Sequence, residues 1–155
     1  IRIDAGYQGD VWPEDVFTMI VKGYQELIAE ARAKGLEVVI ENHWGPSQHP
    51  GQLEKLLKAV PELGLLFDTN NWAKGTHQQG WKLCPYAKAV HIKTFSFNEA
   101  GEDPSVNLRD AIALLDDSGY SGVWGVESVP EDGDEIGAAK KTIMLIQCVL
   151  SDLGA

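Results

Sequence analysis

The chain has 155 residues, 44% of them hydrophobic and 23% charged, with a formal net charge of −10, the balance of an ordinary globular domain. Nucleic acid or an anionic membrane surface would need clustered Lys and Arg, and no basic patch is present. No apolar run approaches the roughly 20 residues of a membrane span, and no signal-peptide pattern opens the chain. The two cysteines, Cys84 and Cys148, lack metal-site spacing and suggest a reducing compartment, the cytoplasm.

The first segment, IRIDAG, reads as a short strand ending at Asp4 and Gly6. The chain thus begins at Ile1 inside a strand, as a piece of a longer chain would. Pro13 then opens a helical pattern in which Val16, Ile20, Tyr24, Leu27 and Ala31 recur near i, i+4, i+7, and Gly35 closes it. LEVVIE (36–41) is the second strand. A loop rich in Gly, Pro and Ser leads to a helix near 50–60, with Leu53, Leu56, Leu57 and Val60 on one face.

LGLLFDT (63–69) is the third strand, followed by a polar loop and a short helix around 77–84. KAVHIKTF (88–95) is the fourth. The helix over 105–117 stops at Gly119, SGVWGVES (121–128) is the fifth strand, and a helix over about 134–152 carries Ile136, Ile143, Ile146 and Leu150. The order is βα repeated five times without a hairpin signal, and the strands are nearly continuous apolar runs. Both features predict a parallel sheet covered by helices. A doubly wound sheet and part of a (βα)8 barrel both fit. Five units in 155 residues scale to a full barrel of about 250 residues, so the chain is expected to be one partial TIM-barrel domain over 1–155, about five units of eight.

The strand ends carry the chemistry. Glu41, Asp68 and Glu127 close the second, third and fifth strands. His91 and Lys93 stand two apart on the fourth, hence on one face. In parallel βα folds the C-terminal strand ends share one mouth. Three carboxylates and an imidazole there make a mostly oxygen donor set suited to Mn²⁺, Mg²⁺ or Co²⁺, with Zn²⁺ possible. Without a cation the clustered carboxylates repel and one stays protonated. Taken singly, each acid has a plain alternative as a cap or turn former, and His91 as a core histidine. The coincidence across four consecutive strands favours the shared site. His43 and Asn42 are expected either to contact substrate or to shape the loop, Asn71 to reach substrate in the mouth, and Lys93 either to stabilise an oxyanion or to pair with an acid. Trp12, Trp44 and Trp72 suit either stacking on a sugar face or covering the core, and His49 and His77 carry no assigned chemistry.

At VVIENH, GLLFDTNN, AVHIKTF and GVWGVES the chain resembles the xylose-isomerase-like barrel superfamily, in particular its sugar phosphate isomerase/epimerase group. The motifs follow that group's order and correspond to its C-terminal five strands. The resemblance implies that Glu41, Asp68, His91 and Glu127 are metal ligands and that Glu41 and Glu127 also form the acid/base pair. It implies substrate contacts at Lys93, in the group's H-x-K pattern, and at His43, in its E-N-H pattern. The chain departs from many members at Asn71, where they carry histidine, at Thr94, where they carry aspartate, and in lacking the arginine that ketose epimerases place after the fourth-strand histidine.

The implied activity is sugar isomerisation or epimerisation in carbohydrate metabolism, by proton transfer next to a carbonyl. An inosose-type dehydration and a non-catalytic barrel fragment are the alternatives. Metal-dependent endonucleases share this barrel, but four histidines and a charge of −10 argue against that branch. The expected partners are a small sugar or polyol, plus a second copy of the chain or further N-terminal barrel units covering the open sheet edges.

Overall fold

The computed structural model describes residues 1–154. Five α-helices alternate with four strands: α1 (Glu14–Arg32), β1 (Val39–Glu41), α2 (Pro50–Ala59), β2 (Gly64–Asp68), α3 (His77–Trp81), β3 (Ala87–Thr94), α4 (Leu108–Asp117), β4 (Trp124–Ser128) and α5 (Glu135–Leu153). Short 3₁₀ turns occupy Gly45–Gln48 and Cys84–Tyr86. The strands form one sheet in the order β1-β2-β3-β4, every pair parallel. This is the expected partial barrel wall, with one strand fewer. The segment predicted as a first strand makes a single bridge, Arg2 to Val39, through two backbone hydrogen bonds of 2.9 Å. Most of it lies exposed or half-buried, with no further pairing.

The two faces of the sheet divide by residue parity. Ile40, Leu65, Phe67, Val90 and Ile92 point to the helices and join the core. Leu53, Leu56 and Leu57 of α2 come to the same core fully buried, each worth roughly 1.5–3 kcal/mol relative to exposure. The opposite face carries Glu41, Asp68, His91, Lys93 and Glu127. Register brings Asp68 beside His91 and Lys93 beside Glu127.

Helix ends follow the punctuation in the sequence. Gly35 adopts φ +69°, and after α1 the Leu36 and Gly35 amides bond Ala31 and Arg32 carbonyls, the Schellman arrangement. Gly119, at φ +80°, does the same after α4. Asn107 caps α4 and Asp134 caps α5 by accepting main-chain N–H bonds. Two helix faces differ from expectation. In α1, Phe17, Tyr24, Ile28 and Ala31 are buried and Leu27 is exposed, because the buried stripe runs one position further round. In α5, Ile136 and Ile143 are exposed, and Leu145, Ile146 and Val149 turn inward beside Thr142. Among the described residues no helix is long and apolar enough to cross a membrane.

Candidate metal centre

Glu41 and Asp68 are the last residues of their strands and Glu127 the penultimate one, while His91 stands three residues before the end of the longer β3. The sheet twists these four ends toward one volume. One ligand atom from each of Glu41, Asp68, His91 and Glu127 lies within 4.8 Å of the others. Glu41 and Asp68 are buried, at 1% and 0% exposure, while His91 and Glu127 are half-buried.

The surroundings of each group differ. Asp68 Oδ1 accepts the Asn70 and Asn71 amides at 2.8 and 2.9 Å. Its Oδ2 is buried without any hydrogen-bond partner. His91 Nδ1 lies 3.0 Å from Glu127 Oε2 and 3.6 Å from Glu41 Oε1. It nonetheless lacks a partner of hydrogen-bonding geometry and is likewise buried. Two buried polar atoms of the cluster therefore make no hydrogen bond of good geometry. Native structures leave few such groups unpaired, and a divalent cation between them would satisfy both. The donor set, three carboxylates and one imidazole, fits a hard or borderline cation.

Electrostatics agree with that fit. Burial pushes the Asp68 carboxyl up to about 7, and the nearby Glu41 and Glu127 charges add to it, against the Asn70 amide and Lys93. For Glu41 burial acts upward, but the neighbouring His91, Arg2 and His43 outweigh it and hold the carboxyl below its usual value. His91 is raised, chiefly by the Glu41 carboxylate and against burial, with Glu127 and Asp68 adding to the rise. Protons on Asp68 and His91 thus stand where a cation would neutralise the same charge.

Around this centre Lys93 Nζ donates to Glu127 Oε1 at 3.1 Å, and Asn71 Nδ2 donates to Glu41 Oε1 at 3.2 Å. His43 groups with Asp4 and Glu41 on the rim. The expectation for Asn42 requires correction. It is fully buried, and both ends of its amide bond the main chain of Asp68, at 2.8 and 2.9 Å, so it faces away from the mouth. Trp12 and Trp72 are also buried and offer no stacking surface. Trp44 is 60% exposed, on a loop tied down by Ser47, which accepts the His43 amide and donates to the Trp44 carbonyl. His49 pairs with Asp10, and His77 bonds Asn70.

Two contributors escaped the sequence reading. Arg2 forms ion pairs with Glu41 and Asp4, a contact that only the strand-like approach of the N-terminal segment creates. Gly125 pairs with His91 across β3 and β4. A Cβ there would stand 2.5 Å from the Val90 carbonyl oxygen and 3.1 Å from His91 Cδ2, so glycine leaves room for the ring. The signal was present: a glycine inside a strand, two residues before a ligand candidate, marks close approach.

A parallel βα wall with acid and imidazole groups gathered at its C-terminal edge is the architecture of part of a (βα)8 barrel. A family model, the xylose isomerase-like TIM barrel, matches residues 3–147, and the chain belongs to that family. A xylose isomerase-like TIM barrel protein from Mycobacterium smegmatis, solved in complex with magnesium, superposes with TM-score 0.69 at 23% identity, over 94% of this chain and 54% of that one. The 3-keto-D-glucoside 4-epimerase of E. coli, in its apo form, gives TM-score 0.71 at 12% identity, over 95% and 63%. Both share the fold. In sequence, the C-glycoside deglycosidase alpha subunit of Microbacterium trichothecenolyticum is 41% identical over 74 residues, 43% of this chain and 19% of that protein. The chain therefore spans about a fifth of that relative and between half and two-thirds of these solved barrels.

Proposed function

We propose that Glu41, Asp68, His91 and Glu127 bind a divalent cation and serve a sugar isomerase or epimerase that moves a proton next to a carbonyl. The observation that carries it is the cluster of four potential ligand atoms within 4.8 Å of one another, in which Asp68 and His91 each keep a buried polar atom without a hydrogen bond, Oδ2 and Nδ1. Mn²⁺, Mg²⁺ and Co²⁺ fit the donor set, with Zn²⁺ less suited, and the magnesium held by the Mycobacterium smegmatis relative supports the choice. When bound, the cation supplies Lewis-acid polarisation of a substrate carbonyl.

The protein's own groups then handle the proton. One of Glu41 and Glu127 removes the hydrogen α to the carbonyl, leaving its electron pair in the enediolate, and the other returns a proton to carbon. Glu41, held below its usual value, is ionised at neutral pH and ready to accept. Lys93, 3.1 Å from Glu127, keeps positive charge beside the developing oxyanion. His43 and Asn71 line the rim for substrate hydroxyls, and the exposed indole of Trp44 offers a face for the sugar ring.

Elimination is the second reading, favoured by the deglycosidase named above. The same base takes the α-proton, a carbon–carbon double bond forms, and the group on the β-carbon departs with its bonding electrons and accepts a proton from the second glutamate. An inosose-type dehydration follows the same course with hydroxide leaving as water. A third part of the proposal concerns assembly. β4 stays half-buried along its whole length and Val123 is 83% exposed, so further barrel units or a second copy of this chain would cover that edge.

The test is a screen of keto-sugars and inososes with Mn²⁺ in heavy water. Deuterium incorporation at the α-carbon without loss of a substituent supports isomerisation or epimerisation. Loss of a substituent supports elimination, and no exchange beyond that of Glu127→Gln with any substrate overturns both.

A further inference from the structure

β1 ends one step too early for its neighbour. The last pair between β1 and β2 is Glu41 with Leu66, after which the chain turns into the 43–48 loop. Asp68, two residues further along β2, would leave its β1-side N–H and C=O without a strand to bond, deep inside the protein. Asn42 takes the place of the missing strand. Its Oδ1 accepts the Asp68 amide at 2.8 Å and its Nδ2 donates to the Asp68 carbonyl at 2.9 Å. The side chain is fully buried, so no water competes for these bonds.

The consequence for Asp68 is nearly complete immobilisation. Its main chain is clasped by Asn42, and Oδ1 is held by the Asn70 and Asn71 amides. Only Oδ2 is left unbonded, in a carboxylate that contributes one oxygen to the cluster of potential ligand atoms within 4.8 Å of one another. The device recurs along the sheet. Thr69, which follows Asp68, accepts the Lys93 amide at 3.0 Å through Oγ1. Thr94, which follows Lys93, bonds Ser128 at 2.8 Å and Thr142 at 3.0 Å, and Ser128 follows Glu127. The residues after Glu41, Asp68 and Lys93, namely Asn42, Thr69 and Thr94, thus each tie down the next strand.

We propose that Asn42 is the positioning residue of the cation site, fixing the height and direction of the Asp68 carboxylate through a two-bond clasp on its main chain. The assignment rests on the cation reading of the site. Partners that orient a ligand typically contribute roughly 10–100-fold to metal affinity.

The experiment compares Mn²⁺ binding by the wild-type full chain, Asn42→Ala and Leu57→Ala at pH 8, by calorimetry, with urea denaturation for stability and electron paramagnetic resonance of bound Mn²⁺. Leu57 is a buried residue of α2, so its variant is destabilised without touching the site. Asn42→Ala should bind Mn²⁺ roughly 10–100-fold more weakly with a broadened Mn²⁺ spectrum, while Leu57→Ala retains wild-type affinity and spectrum. Asn42→Thr replaces the two-atom amide by a single hydroxyl toward Asp68 and suits extended backbone, and should lose affinity to an intermediate extent even if the alanine variant does not fold. Unchanged affinity in whichever Asn42 variant folds overturns the proposal alone, as does an equal loss in Leu57→Ala. Absence of Mn²⁺ binding by the wild type overturns the cation reading together with it.

Discussion

Replacing Asp68 by asparagine should do two opposite things at once. Asp68 is fully buried with Oδ2 unpartnered, and its carboxyl is pushed from 3.8 up to about 7. A group whose folded pKa lies above its unfolded value contributes stability below the unfolded pKa and loses it as pH rises toward the folded one. In the metal-free protein this loss runs from about pH 4 to about pH 7 and amounts to at most about 4 kcal/mol, at roughly 1.4 kcal/mol per pH unit. Asparagine removes the charge. It keeps an oxygen for the Asn70 and Asn71 amides and turns its NH₂ toward the carboxylates of Glu41 and Glu127. Allowing about 1–2 kcal/mol for imperfect hydrogen bonding of the amide, Asp68→Asn should be about 2 kcal/mol more stable than wild type at pH 8 with chelator, and not more stable at pH 5.

Metal binding should move the other way. The variant loses one anionic ligand, so Mn²⁺ affinity should fall by at least about 100-fold, in line with losing a charge that sits directly on the cation. Urea denaturation at the two pH values, with chelator present, reads the first effect, and a calorimetric Mn²⁺ titration at pH 8 reads the second. A metal-free variant no more stable than wild type at pH 8 would refute the assignment of Asp68 as a buried charge without compensation. Wild-type Mn²⁺ affinity in the variant would refute its place among the ligands.

Other consequences can be checked separately. Gly125→Ala forces a methyl against the Val90 carbonyl and the His91 ring; it should cost about 1–3 kcal/mol by denaturation and weaken Mn²⁺ binding by displacing His91. Trp44→Ala removes an exposed side chain, so stability should change by no more than about 0.5 kcal/mol while KM for the sugar rises; unchanged KM would dismiss the stacking role. The buried thiol of Cys84, pushed up to about 12 by burial, should resist Ellman's reagent at pH 8, whereas Cys148 is exposed and should react at once. One thiol titrated in the native state and two in denaturant is the expected count, and two fast thiols would contradict the burial. As pH rises from about 9, the same thiol favours the unfolded chain, so stability should decline toward pH 12.

Much of this arrangement was readable from residue order. The βα alternation, the glycine stops at Gly35 and Gly119, the α2 face of Leu53, Leu56 and Leu57, and the acids at strand ends are local features, each set by side-chain period or backbone freedom within a few residues. Parallel strands add one more rule, since connections of this kind return every strand in the same direction and bring their C-terminal ends to one edge. The grouping of Glu41, Asp68, His91 and Glu127 therefore follows from strand direction alone.

Other features depend on what lies across space. Whether Asn42 meets substrate or clasps Asp68 turns on where β1 stops, and hydrophobicity within β1 does not encode that. The N-terminal segment looks as strand-like as β1, yet pairs at one point only, because a strand needs a neighbour along its length. Trp12 and Trp72 were grouped with Trp44 by sequence context, and packing against Phe17 and Phe67 separated them. Periodicity and strand direction set the order of elements and the identity of the groups at the mouth. Which polar atoms are left unbonded there depends on the folded chain, because hydrogen-bond satisfaction is a property of neighbours brought together from distant parts of the chain.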